Sequence, residues 1–286
     1  IKYDPDRNLL FYKIYANKIE KLLEKKNIDY IFVHQCSLIS YLKTNLPIFV
    51  WTDLTFDLFY KTYFNKYKKF SSSSIITGNK LEKMALIKAK KIFYSTEYAK
   101  INAVKKYKIN PKKIKILPFG CDMPSISKKV FDNKLKKRVN TLESKLKLLT
   151  IGTDWQRKNM DKAIKVNNEL NINYIPSQLT IVGVKPKSSS LLPKNIKIVG
   201  FLNKKKNKEL QKLEKLYQNS HFLIHLSNAE AFGLVFNEAS AHGLPIIANN
   251  IDGIKYVIKK NYSLVFDLSC KAKIIAKQIS QLCKNN

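Results

Sequence analysis

The stretch Phe222-Leu-Ile-His-Leu-Ser-Asn-Ala-Glu-Ala-Phe-Gly-Leu-Val-Phe-Asn-Glu-Ala-Ser-Ala-His-Gly-Leu-Pro245 passes from one structural period to another. Phe222 to Leu226 is an apolar run of the length of a buried strand, and Leu234 to Ala241 has helical composition closed by Gly243 and Pro245. Glu230 therefore lies in a strand-to-helix crossing, and Glu238, eight residues on, lies about one turn into the helix. At such a crossing the backbone from Ala231 through Phe232 and Gly233 to Leu234 can turn N–H groups toward an anion, with the positive end of the helix dipole behind them. A diphosphate suits that position, and the two carboxylates suit polyol hydroxyls. Spacing leaves one alternative open, a surface helix with two solvated glutamates.

Outward from this crossing, short apolar runs alternate with helical segments, the pattern of parallel sheets built from strand-helix-strand units. The second half reads as strands at Leu146–Gly152, Leu179–Gly183, Ile196–Phe201, Phe222–Leu226, Pro245–Ala248 and Ser263–Phe266. Helices are expected near Met160–Leu170, Lys208–Asn219, Leu234–Ala241 and Lys271–Cys283, which completes a doubly wound domain over residues 146–286. The first half, residues 1–124, offers strands at Tyr30–Val33, Ile48–Thr52, Lys91–Ser95 and Ile114–Leu117, with helices near Leu9–Lys26, Asp57–Tyr67 and Leu81–Lys88. It opens on a helix where a doubly wound domain usually opens on a strand and a glycine-rich turn, so this domain reads as truncated at its amino terminus. The polar, lysine-rich residues 125–145 read as the interdomain linker, and Ser71 to Ser74 as a short loop.

Composition narrows the function classes. The 286 residues suffice for two domains with separate cores, and 45% apolar content is that of a globular protein. No run of the length and apolarity of a membrane span and no secretory signal pattern is seen, so the expected location is the cytoplasm. Cys36, Cys121, Cys270 and Cys283 form no Cys-x-x-Cys pair, which argues against zinc and against a disulfide framework. The net charge of +32 invites a nucleic-acid partner. Yet only Arg7, Arg138 and Arg157 are arginine, the residue whose fork reads phosphates and bases, and the lysines are dispersed in runs such as Lys204-Lys-Lys206. These runs read as solvated faces, and peripheral attraction to an anionic membrane stays open because it needs charge alone.

A cationic pair, Arg157-Lys158, follows the first strand of the second domain within Gly152-Thr-Asp-Trp-Gln-Arg-Lys-Asn159. Loops at the carboxyl edge of an open parallel sheet bind ligands, and cations there neutralise a leaving diphosphate. Asp4-Pro-Asp6 follows no strand and implies no metal, and His221, His225 and His242 share no ligand spacing with cysteine or carboxylate, so they read as structural. His34 follows a strand and is a lesser candidate for the ligand cleft.

Taken together, Gly152 with Arg157-Lys158-Asn159, Ile181-Val-Gly183, Val199-Gly-Phe201, Ser227-Asn-Ala-Glu-Ala-Phe-Gly233, Glu238-Ala239, Gly243-Leu-Pro-Ile-Ile-Ala248 and Asp252-Gly253 resemble the donor domain of glycosyltransferase family four. The first half is similar to that family's acceptor domain over Leu81 to Thr96 and over Ile114-Lys-Ile-Leu-Pro-Phe-Gly-Cys-Asp122. The resemblance implies the GT-B fold, two Rossmann-like domains facing across a cleft, and retaining transfer of a hexosyl group from a nucleotide diphosphate sugar to an acceptor hydroxyl. The acceptor would be a glycan or a lipid-linked sugar in surface glycan or lipopolysaccharide synthesis, with no metal or other cofactor.

By the same resemblance Glu238 would bind the donor ribose, Glu230 the transferred sugar, and the amides from Ala231 to Leu234 sugar and phosphate. Arg157 and Lys158 would stabilise the diphosphate, and Val199, Gly200 and Phe201 would lie beside the base. Asp53, in Trp51-Thr-Asp-Leu-Thr-Phe56, stands where many members have a histidine, and would orient the acceptor or else cap the following helix. Two other classes stay open: a non-catalytic nucleotide-sugar-binding or scaffold protein, and a basic nucleic-acid-binding protein.

Overall fold

A computed structural model of the chain describes residues 8–64, 70–124, 127–140, 145–186, 192–258 and 260–284. Two compact units emerge, one running to Phe119 and including Glu230–Phe232, the other formed by Gly120–Ala229 and the chain from Gly233 onward.

In the first unit, strands β1 (Ile31–Val33), β2 (Ile48–Thr52), β3 (Lys91–Tyr94) and β4 (Ile114–Ile116) lie side by side in chain order, all parallel. Helices α1 (Leu9–Leu23), α2 (Phe56–Phe59), α3 (Ser72–Lys88) and α4 (Glu97–Tyr107) connect or precede them. The alternation in β2 is visible in burial: Ile48, Val50 and Thr52 are buried while Phe49 and Trp51 are only partly so. Ile48 and Val50 join Ile92, Tyr94, Leu86 and Ala103 in one core, each large aliphatic side chain contributing about 1.5–3 kcal/mol by leaving water.

Two local expectations for this unit need correction, and one helix was not expected. Ser71 to Ser74 is no loop: the Ser71 hydroxyl accepts from the Ser74 amide at 3.2 Å and caps a helix that begins at Ser72. The helix expected from Asp57 to Tyr67 is one α-turn followed by a π-helical segment, Tyr60–Phe64, and its last residues lie outside the described ones. Helix α4 was hidden by its polar, lysine-rich sequence, since its buried face is only Ala99, Ala103 and Tyr107.

In the second unit, helix α5 (Lys128–Asn140) precedes strand β5 (Leu146–Ile151). Then follow α6 (Met160–Asn173), β6 (Ser177–Val182), β7 (Ile196–Gly200), α7 (Asn207–Asn219), β8 (Phe222–His225), α8 (Leu234–Ala241), β9 (Ile246–Asn249), α9 (Ile254–Val257), β10 (Ser263–Phe266) and α10 (Ala272–Lys284). The sheet order is β10-β9-β8-β5-β6-β7, every described pairing parallel. Counted within the unit this is the doubly wound order 3-2-1-4-5-6, which reverses between β5 and β8. Both faces are covered: Phe222 and Ile224 face a core with Met160 and Ile275, and Leu223 faces one with Tyr217 and Phe236. Helix α5 falls within the stretch read as linker and lays Phe131 and Leu135 over Gly243.

Candidate functional site

At the switch point the loops leaving β5 and β8 are stitched together. The Asn228 amide donates to the Arg157 carbonyl at 2.8 Å, and the Asn228 side-chain amide donates to the Gln156 carbonyl at 2.9 Å. The Asn159 side chain donates to Asn228 Oδ1 at 3.1 Å, and the Arg157 guanidinium to the Ala229 carbonyl at 3.3 Å. The β5 loop is itself a tight turn, with Asp154 Oδ1 accepting from the Arg157 amide at 2.9 Å and Asn159 left-handed at φ 53° ahead of α6. Two loops that could each move alone thus hold one another at the place where doubly wound sheets bind ligands.

Lys158 is buried, and its head and stem are both fixed. Its Nζ lies 3.3 Å from His225 Nε2, and its methylenes run so close over Gly152 that a Cβ there would meet Lys158 Cγ at 2.5 Å. Next door Gly183 has φ +101°, and a Cβ on it would come within 2.5 Å of the Gly152 carbonyl oxygen. Only glycine gives both the left-handed conformation and this approach of the loops after β5 and β6.

Glu238 is 4% exposed on α8. Its Oε2 accepts from the Tyr217 hydroxyl at 2.6 Å and its Oε1 is ion-paired with Lys204, which also reaches Asp122 at 3.5 Å. Tyr217 stacks on His242 with centroids 5.0 Å apart, and His242 Nδ1 donates to the Glu238 carbonyl at 2.8 Å. Burial, and then the charge of Glu238, hold the Tyr217 phenol well above its usual range, so it stays a donor. Gly200 ends β7 with φ +77°, Phe201 beside it is 66% exposed, and α8 opens with Gly233 at its cap and a half-exposed Leu234.

Asp53, Glu230, Ala231 and Phe232 lie in the first unit. Glu230 is buried, the Ala231 amide donates to the Tyr63 hydroxyl at 3.0 Å, and the Phe232 ring meets Phe119 edge-on at 5.3 Å. Burial raises the Asp53 pKa, the charge of Glu230 adds to the rise, and its backbone amide and His34 oppose it. Asp53 does not cap the next helix, because Thr55 does so with its hydroxyl on the Leu58 amide. His34 is exposed, with Nδ1 2.7 Å from the Trp51 carbonyl oxygen.

Three residues that contact these candidates escaped the sequence. Tyr217 sits in no motif, Lys204 belongs to a lysine run read as solvated, and His225 read as structural core. A signal existed only for His225, a polar residue inside an apolar strand. Among the described residues no group of three or more His, Cys, Asp or Glu is placed to hold a metal ion, and no helix is long and apolar enough to cross a membrane.

Comparison with known proteins follows this geometry. The chain is 31% identical over 130 residues to the N-acetyl-alpha-D-glucosaminyl L-malate synthase of Bacillus anthracis, a match spanning 44% of this chain and 32% of that protein. Its fold is similar to sucrose-phosphate synthase from Thermosynechococcus elongatus, with TM-score 0.71 and 17% identity over 99% of this chain and 72% of that one. It is also similar to Anabaena Alr3699/HepE in complex with UDP-glucose, with TM-score 0.63 and 14% identity over 94% of this chain and 72% of that one. These likenesses show the fold, two parallel-sheet α/β domains of the GT-B kind. The model of the family described as glycosyl transferases group 1 matches residues 131–286, more than half of the chain, and the chain belongs to that family.

Proposed function

We propose that this chain is a retaining glycosyltransferase that moves a hexosyl group from a nucleotide diphosphate sugar to an acceptor hydroxyl. The observation that carries the reading is the stitched switch point, where the loops bearing Arg157, Lys158 and Ala229 are locked together in the unit that also holds the buried Glu238. The solved Anabaena relative with UDP-glucose and the family match support a donor of that class.

In this reading Glu238 accepts from the ribose hydroxyls, exchanging Lys204 for them, and the exposed Phe201 ring beside Gly200 offers a face to the base. Arg157 and Lys158 bear the charge that develops on the diphosphate as the glycosidic bond breaks. Glu230 and the amides from Ala231 to Leu234 hold the sugar and its phosphate, and Asp53 orients the acceptor. The acceptor oxygen attacks the anomeric carbon on the face that the diphosphate leaves, and the departing phosphate oxygen takes the hydroxyl proton. No protein nucleophile is used, and the lysine and arginine supply the positive charge that a metal would otherwise bring. The acceptor is a glycan or lipid-linked sugar in surface glycan or lipopolysaccharide assembly, worked on from the cytoplasm with peripheral attraction to an anionic membrane.

Calorimetry with UDP-, GDP- and ADP-sugars tests the donor. One of them binds, Glu238→Ala abolishes that binding, and turnover of the bound sugar persists in chelator. If no nucleotide sugar of the panel binds, the reading falls.

A further inference from the structure

Lys158 Nζ stands 3.3 Å from His225 Nε2 inside the second unit, with Lys158 8% exposed and His225 fully buried. A lysine has only donors, so this bond requires Nε2 to accept and places the ring proton on Nδ1. His225 is the last residue of β8, inside a strand whose four residues are all buried, a position that packing alone would fill with an aliphatic side chain. Its ring also meets Phe236 of α8 edge-to-face, with centroids 5.1 Å apart at 88°, so helix packing sets the plane of the imidazole. The lysine has little alternative placement, because its methylenes fill the space over Gly152.

We infer that His225 is a positioning residue for Lys158: as a neutral acceptor it holds the ammonium in one place, on the loop where the diphosphate of the donor would bind. The inference rests on the function proposed above. A lysine on a flexible stem gives up rotamer entropy when it binds a phosphate, and a fixed acceptor moves that loss to folding. An aliphatic residue at 225 would pack equally well but would leave the buried ammonium one partner short.

Binding of UDP, GDP and ADP to four variants tests this, with the tightest of the three as probe and thermal melts run beside it. Lys158→Ala is expected to weaken that probe about a hundredfold, His225→Leu about tenfold, and His225→Gln, whose amide oxygen can accept the same bond, by no more than about threefold. The double variant His225→Leu with Lys158→Ala should bind no more weakly than Lys158→Ala alone, because the histidine acts only through the lysine. Equal losses in His225→Leu and His225→Gln, or additive losses in the double variant, would show a packing role and overturn the inference. Unchanged affinity in His225→Leu beside a loss in Lys158→Ala overturns it too, while the proposed function stands. Unchanged affinity in Lys158→Ala, or no binding of any of the three nucleotides, instead overturns the reading on which it rests. Should His225→Leu melt early, the His225→Gln arm still discriminates.

Discussion

The Tyr217 hydroxyl on α7 donates to Glu238 Oε2 on α8 at 2.6 Å, joining residues 21 apart in sequence. This bond and the Lys204 ion pair hold one oxygen each of a buried carboxylate and together aim it. Replacing Tyr217 by Phe leaves a buried anion one donor short, so stability is expected to fall by about 1–3 kcal/mol. Nucleotide-sugar affinity should fall with it. Chemical denaturation and calorimetry read the two effects, and wild-type values in both would remove Tyr217 from the site.

Gly183→Ala should be among the costliest single-methyl additions in the second unit. The new methyl meets the Gly152 carbonyl oxygen at 2.5 Å and the backbone keeps φ +101°. Left-handed strain alone costs about 1–3 kcal/mol, and the clash pushes the β5 and β6 loops apart. A lowered melting temperature with weakened donor binding is expected, and Gly120→Ala, whose added methyl meets nothing within 4 Å, is the neutral control. Equal melting of the two variants would refute the close approach.

Asp53 predicts a pH dependence of stability. Its folded pKa lies above the ordinary 3.8 chiefly through burial, so the folded chain binds more protons than the unfolded one between 3.8 and the raised value. Stability from the neutral carboxyl is therefore present below 3.8 and lost as pH rises through that window. Asp53→Asn should raise the melting temperature near neutral pH and lose that advantage once the pH falls below 3.8. Transfer should fall in the same variant if the carboxylate orients the acceptor. A lower melting temperature at neutral pH would mean that its charged form is the stabilised one.

Helix α1 offers a test of the proposed peripheral attraction to an anionic membrane. Tyr12 and Ala16 are buried, while Leu10, Phe11, Ile14 and Tyr15 face water beside the exposed Lys13, Lys18 and Lys21. Exposed apolar residues flanked by lysine are a feature of helices that lie in a membrane interface. Vesicles rich in phosphatidylserine should sediment the protein at low salt, neutral vesicles should not, and about 0.5 M salt should release it. Ile14→Glu should weaken the retention, and equal retention on neutral vesicles would rule out an electrostatic attachment.

The second unit was nearly legible in its sequence because its strands are short apolar runs, and the central β8 and its neighbour β9 are buried throughout. Helix α8 runs from Leu234 to Ala241 and β10 from Ser263 to Phe266, as composition predicts. Helices α4 and α5 were not, since their sequences are polar and lysine-rich, and α4 buries only Ala99, Ala103 and Tyr107. Glu238, Arg157 and Lys158 could be named as candidates from residue type, spacing and loop position. Their partners could not.

The sequence by itself determined the alternation of strands and helices, the two-domain plan and the loops that carry charge. Those are properties of nearest neighbours along the chain, set by period, caps and glycine. Only the tertiary structure decided that β5 and β8 lie side by side, since strand order depends on which crossover passes over which face of the sheet. It also decided that Tyr217, Lys204 and His225 meet Glu238 and Lys158. Such meetings join residues 21, 34 and 67 positions apart, and no local pattern encodes a hydrogen bond whose two ends are brought together by the packing of the sheet.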